Sequence, residues 1–100
     1  MNAFDDKASL LNVMSNAARL HVLTILLAGE MGVGQLASLV DLSQSALSQH
    51  LGKLRAAGLV KTRRDAQAIF YSVKSDKVAA VLSLLETLFD SKNQSVKLVA

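Results

Sequence analysis

The chain has 100 residues, of which 51% are apolar and only 4% aromatic, and it carries a formal charge of +3. That length is expected to make one small domain spanning residues 1–100. A core poor in aromatic side chains must be built from Leu, Val, Ile and Ala, which favours helices over a sandwich or barrel. The lack of cysteine excludes disulfides, thiolate metal sites and thiol redox sensing.

No apolar run is long enough to span a bilayer. The start, Met1-Asn2-Ala3-Phe4-Asp5-Asp6, is acidic and is not followed by a signal-type apolar stretch, so the expected location is the cytoplasm, with no membrane partner. So high an apolar share in so small a domain also points to a subunit interface.

Proline is absent, so helix limits are read from glycine and capping residues. Over residues 5–14, Ala8, Leu10, Leu11 and Met14 recur at helical spacing, with Asp5 and Asp6 at the end where the helix dipole favours acids. Ser15 or Asn16 is placed to cap a second helix with apolar positions Ala18, Leu20, Val22, Leu23, Ile25, Leu26 and Leu27. Gly29 is expected to supply a left-handed stop.

A short helix is predicted over about 35–40, then a turn at Asp41-Leu42. Ser43 is placed to cap the next helix, which runs to about Ala57 with Ala46, Leu47, Leu51 and Leu54 inward. Gly58 ends it, and Leu59 is positioned for the apolar contact that accompanies such a stop.

The period then changes. Residues 59–63 and 68–73 read as two strands, joined by a polar connection, Arg64-Asp65-Ala66-Gln67, that lacks the usual Asn-Gly signal. Ser75 caps a long helix to about Asp90, and the polar tail from Ser91 is expected to fray. The expected fold is mainly α, with five helices and one small β-hairpin.

The stretch from Val33 to Leu51 has the pattern of a helix-turn-helix. Ala37 is the small residue where the first helix meets the second, and Leu36, Val40, Leu42, Leu47 and Leu51 lock the pair at a steep angle. Asp41 stands where glycine is commoner, and it tolerates the left-handed conformation better than most residues. The outward face of the second helix carries Gln44, Ser45, Ser48 and Gln49, then Gly52. Such side chains are ordinary on a solvated helix. Within a helix-turn-helix they are donors and acceptors for base edges in the major groove, and Ser43 stands at a helix N-terminus suited to a phosphate.

Charge agrees. Lys53, Arg55, Lys61, Arg63 and Arg64 are five of the eleven basic residues and lie in a short stretch free of acids. Phosphate binding accounts for that clustering, with Arg63, Arg64 and the neighbouring Gln67 at the hairpin tip placed to reach the backbone or minor groove.

The run Leu42-Ser43-Gln44-Ser45-Ala46-Leu47-Ser48-Gln49-His50-Leu51, followed by Leu54-Arg55-Ala56-Ala57-Gly58-Leu59-Val60, resembles the ArsR/SmtB family of winged-helix repressors. Upstream, Asn16-Ala17-Ala18-Arg19-Leu20 resembles the family's second-helix signature, with Ala17 in place of the usual proline. Downstream, Arg63-Arg64-Asp65-Ala66-Gln67 through Phe70-Tyr71-Ser72 resembles its wing. The similarity runs from about Leu10 to Phe89. It implies a winged helix-turn-helix with a two-stranded wing, a homodimer formed by the first and last helices, and one recognition helix per half-site on double-stranded DNA.

The periodicity supports the dimer. Val78, Val81, Leu82, Leu85, Leu88 and Phe89 form one stripe, widened by Ala80 and Leu84, which exceeds what a small core needs. The expected interface residues are Leu10, Leu11, Met14, Val81, Leu84, Leu85 and Leu88.

The family's metal-sensing positions are not filled. Where cysteines would stand, at the start of the third helix, the chain has Met31-Gly32-Val33-Gly34, and the last helix offers Asp76, Glu86 and Asp90 but no histidine. His21 and His50 have no partner at ligand spacing, and His50 is placed to pack or touch phosphate. No metal, no cofactor and no enzymatic activity is expected, since the serines lack plausible partners and no phosphate-binding glycine loop exists. The expectation is a sequence-specific DNA-binding regulator, a homodimeric repressor that occupies promoter DNA. Two alternatives stand beside it: a protein-interaction module, and a repressor released by a small apolar effector held between the first and last helices.

Overall fold

The computed structural model describes residues 2–90, so the tail expected to fray lies outside the described residues. Among the described residues the elements run α1 (Ala3–Met14), α2 (Ala17–Ala28), β1 (Met31–Gly32), α3 (Val33–Val40), α4 (Gln44–Ala56), β2 (Val60–Asp65), β3 (Ala68–Val73) and α5 (Asp76–Phe89).

Helix α1 starts two residues before the apolar pattern predicts, because Asn2 and Asp5 form a capping box. The Asn2 side chain accepts from the Asp5 amide at 2.9 Å, and the Asp5 carboxylate accepts from the Asn2 amide at 3.3 Å. The chain bends by 92° into α2, whose cap is Asn16, accepting from the Arg19 amide at 3.0 Å. Gly29 does not provide the expected left-handed stop. Its φ of 167° is extended backbone, which delivers the chain directly into a strand.

That strand, β1, is two residues long, too short for alternation to reveal it. Met31 pairs with Tyr71 and Gly32 with Phe70, both antiparallel. The predicted two-stranded hairpin is therefore the larger part of a three-stranded sheet ordered β1-β3-β2. Helix α3 follows at once, at Val33, two residues earlier than expected. Gly32 lies in β1 and Gly34 in α3.

The hairpin is longer than predicted at its tip. Pairing continues from Val60↔Val73 to Asp65↔Ala68, so Arg64 and Asp65 belong to β2 and the loop is Ala66-Gln67 alone. Ala66 takes a left-handed φ of 56°, a place that Asn or Gly would ordinarily hold. The register puts Val60, Thr62 and Arg64 on one face with Val73, Tyr71 and Ile69. Lys61, Arg63 and Asp65 share the other face with Ser72, Phe70 and Ala68.

One cluster forms the core. Val22, Leu23, Leu36, Leu47, Leu51, Leu54 and Val78 are fully buried and come from α2, α3, α4 and α5, with Leu59 and Val60 joining them at the root of the hairpin. Each such leucine stabilises the fold by about 1.5–3 kcal/mol through burial. Met14, expected at the subunit interface, is instead 2% exposed within its own subunit and packs into this cluster. Among the described residues no single helix is long and apolar enough to cross a membrane.

Candidate nucleic-acid interface

Helices α3 and α4 are joined as a tight turn requires. Asp41 adopts the left-handed conformation (φ 55°, ψ 49°), its amide donates to the Ser38 carbonyl at 3.4 Å, and the Leu42 amide donates to Ala37 at 3.1 Å. These bonds satisfy carbonyls that the helix end leaves without partners. Ala37 is buried, so the two helices approach closely, and half-buried Val40 and Leu42 pack on the core from either side of the turn. Ser43 then caps α4, its hydroxyl oxygen accepting from the Ala46 amide at 3.1 Å. Ser43 remains exposed, with the cap as its hydroxyl's first role.

Leu47, Leu51 and Leu54 anchor α4 in the core, which turns Ser45, Ser48, Gln49 and Gly52 to solvent. Gln44 is exposed as well, but its amide nitrogen is turned toward Gly34 in the first turn of α3. A Cβ at Gly34 would lie 3.6 Å from it. Lys53 and Arg55 are exposed and, being two residues apart on a helix, point about 160° away from each other. They flank the polar face on either side, in a last turn where the dipole favours cations.

His50 is half-buried and does not stand free. Its Nδ1 is 3.5 Å from Nη1 of Arg19, whose Nε donates to the Val13 carbonyl at 2.6 Å. Arg19 thus fastens the end of α1 and the start of α2 to the middle of α4. Sequence reasoning passed over this role; the signal was a lone arginine in a first turn, where acids are preferred.

The wing separates its two arginines. Arg64 is exposed on the face that carries Ile69, with no ion-pair partner among the described residues. Arg63 is held by the protein itself. Its Nε donates to Glu30 Oε2 at 3.1 Å, its Nη2 donates to Glu30 Oε1, and its Nη1 is 4.0 Å from Asp65. The guanidinium also lies over the Phe70 ring, 4.9 Å from the centroid. The hydrogen bond from Arg63 holds the Glu30 carboxyl below its ordinary pKa, and the same bond raises that of Arg63. Nothing in the sequence marked Glu30, which lies far from Arg63 along the chain. Gln67 is exposed at the tip.

Among the described residues no three His, Cys, Asp or Glu side chains come together as a metal site would need. Of the expected interface residues, Leu11 and Leu84 are 57% and 56% exposed, whereas Leu10, Val81, Leu85 and Leu88 are half-buried. Phe4 on α1 and Phe89 on α5 are exposed apolar side chains as well; Phe4 was not foreseen. A groove of about 580 Å³ runs between α2 and α5, lined by Leu20, Leu82, Leu85 and Phe89 with Thr24 and Glu86 among them. A second, of about 440 Å³, lies between α1 and the start of α5 and mixes Leu10 and Val13 with Asp6 and Lys77.

A first helix seated on the core by Leu36 and Ala37, a left-handed turn, a second helix with an exposed polar face and a basic hairpin beside it make this a winged helix-turn-helix, a DNA-binding fold. Residues 16–62 match the family described as "Bacterial regulatory protein, arsR family". Over 85 residues the chain is 51% identical to the transcriptional activator HlyU of Vibrio cholerae, covering 85% of this chain and 79% of that protein. Over 89 residues it is 40% identical to the biofilm growth-associated repressor of Agrobacterium fabrum, covering 89% and 76%. The crystal structure of NolR from Sinorhizobium fredii superposes with a TM-score of 0.82 at 53% identity, covering 85% of each chain. A homodimeric winged helix-turn-helix DNA-binding domain from Mycobacterium bovis, solved by NMR, gives a TM-score of 0.77 at 28% identity, covering 87% of this chain and 81% of that one. The chain belongs to the ArsR family of bacterial regulatory proteins, and it is a DNA-binding regulator by family and fold.

Proposed function

We propose that the chain is a homodimeric repressor that works in the cytoplasm by occupying promoter DNA. The observation that carries this reading is the exposed Gln and Ser face of α4, held at a fixed angle by α3 and flanked by Lys53 and Arg55. Ser45, Ser48 and Gln49 read base edges, and Gln44 does so from the junction with α3. Lys53, Arg55 and Arg64 neutralise phosphates, while Ser43 presents the N-terminus of α4 to one.

The dimer pairs the apolar surfaces of α1 and α5, where Leu11, Leu84, Phe4 and Phe89 are exposed in the single subunit. The homodimeric state of the Mycobacterium bovis neighbour supports it. Half-sites are then spaced about one helical turn, roughly 10 base pairs, or a multiple of it. The relatives carry the names of both an activator and a repressor. Repression is proposed because a protein seated on promoter DNA blocks polymerase there.

The test is binding to fragments of the source genome, the region upstream of the gene included, with excess competitor DNA and a chelator present. Selective binding by a dimer, unchanged by the chelator, is the expected result. Failure to bind selectively at low and moderate salt would turn the reading toward a protein-interaction module. A second reading, release by a small apolar effector, is favoured by the groove between α2 and α5. It predicts compounds that lower DNA affinity and are displaced by a bulky substitution at Leu20.

A further inference from the structure

The geometry points to Glu30 as a positioning residue for DNA binding: it keeps the Arg63 guanidinium on the protein while DNA is bound, so the wing anchors phosphate through Arg64 and not Arg63. This rests on the DNA-binding reading above and adds to it a residue outside both the recognition helix and the hairpin.

Two guanidinium nitrogens of Arg63, Nε and Nη2, donate to Glu30, and the third lies 4.0 Å from Asp65, an ion-pair distance without a hydrogen bond. The Phe70 ring covers one face of the group. The Nε/Nη2 edge, one of the two by which an arginine grips a phosphate bidentately, is therefore already occupied by Glu30. A phosphodiester carries one negative charge over two oxygens, the same as the carboxylate it would displace. Displacement would gain no charge for Arg63 and would leave Glu30 unpaired beside the DNA backbone. Glu30 is also tethered, which gives it a local concentration that a phosphate has to overcome.

Topology gives the clamp a purpose. The sheet order β1-β3-β2 means that Arg63, on β2, passes over Phe70 of the middle strand to reach Glu30, just ahead of β1. Since α3 begins immediately after β1, the ion pair adds a side-chain tie to the β1–β3 ladder that joins the hairpin to the helix-turn-helix. On that face Glu30 and Asp65 offset Arg63 and Lys61. Arg64, on the opposite face, keeps an uncompensated charge. The wing thus presents its net positive charge in one direction.

The experiment measures affinity for a selected duplex against potassium chloride concentration, for the wild type and four variants. Arg64→Gln should reduce the magnitude of the log–log salt slope by about 0.9, the signature of one lost phosphate contact. Arg63→Gln should leave the slope unchanged and weaken binding roughly two- to fivefold, as a loosened exposed pair would. Glu30→Gln frees the Arg63 guanidinium for phosphate and should steepen the slope by up to about 0.9, an increase that the double variant Glu30→Gln/Arg63→Gln should not show. The swap Glu30→Arg/Arg63→Glu should regain wild-type affinity, a rescue possible only if the pair acts through itself. A slope change of about 0.9 for Arg63→Gln, or a swap that binds far more weakly than wild type, would overturn the inference. Wild-type protein that shows no salt-dependent, selective binding would bring down the DNA-binding reading itself, which separates the two failures.

Discussion

Asp41 and Gly58 hold the same place in successive helices: each is the left-handed residue at which the helix ends, with φ of 55° and 76°. The hydrogen bonds repeat as well. The amide of Asp41 bonds to Ser38 and that of Leu42 to Ala37, while Gly58 bonds to Arg55 and Leu59 to Leu54. In both, a buried or half-buried leucine follows, the hydrophobic partner such a stop recruits.

The two sites differ in the residue that bears the left-handed backbone. A side chain in that conformation costs about 1–2 kcal/mol, less for Asp than for most residues. Asp41→Gly should therefore raise stability by up to about 1 kcal/mol, provided glycine's greater unfolded freedom does not absorb the gain. Gly58→Ala should lower it by about 1 kcal/mol through backbone strain alone, because a Cβ there would meet nothing within 4 Å. Urea denaturation of the three proteins checks both signs. A stable Gly58→Ala variant would mean the helix end relaxes into another geometry.

Much of this was legible in the chain. The α3–α4 pair could be read because its requirements are local: a small Ala37, a turn at Asp41, a capping Ser43 and leucines at helical spacing. The fully buried positions Leu47, Leu51 and Leu54 follow from period alone. What escaped depends on residues far apart. Strand β1 exists because β3 offers it a ladder, not because Met31-Gly32 has strand character. Glu30 finds Arg63 only once the sheet brings both to one face. Met14 was misplaced since an apolar stripe on α1 does not say which side meets the core and which a partner.

That last distinction predicts a contrast. Leu84→Glu and Leu11→Glu alter side chains that are more than half exposed in the single subunit. Neither should unfold it, yet each sets like charges facing across a two-fold axis. Sedimentation should report monomers with unchanged helical content and much weaker binding to a two-half-site duplex. Met14→Ala should behave oppositely, costing about 2–5 kcal/mol of stability through lost core packing while leaving no new charge at the interface. A dimer that survives both glutamate substitutions would place the contact elsewhere.

On the recognition helix, Gln49 lies at the exposed centre of the face, and its side chain makes no hydrogen bond among the described residues. An amide that pairs bidentately with a base discriminates by about 1–3 kcal/mol at that position. Gln49→Ala should relax preference at one base pair per half-site and leave the salt slope as it was. Selection from a randomised duplex library reads this directly. Uniform weakening across all sequences would assign Gln49 to the backbone instead.

Acid should loosen the wing before it unfolds the domain. The hydrogen bond from Arg63 outweighs desolvation and, with lesser help from the positive charges of Arg63 and Lys61, holds the Glu30 carboxyl below its ordinary pKa. A depressed folded-state pKa contributes stability that is fully present above the ordinary glutamate value and is lost as pH falls through the folded one. The pair should thus be intact at neutral pH and fail only in acid below the usual carboxylate range. Carbon-detected NMR titration of Glu30 should give a midpoint below that of an unpaired glutamate, returning upward in Arg63→Gln. The stability difference between wild type and Glu30→Gln should narrow over the same interval. A midpoint that does not move when Arg63 is replaced would mean the ion pair is not populated in solution.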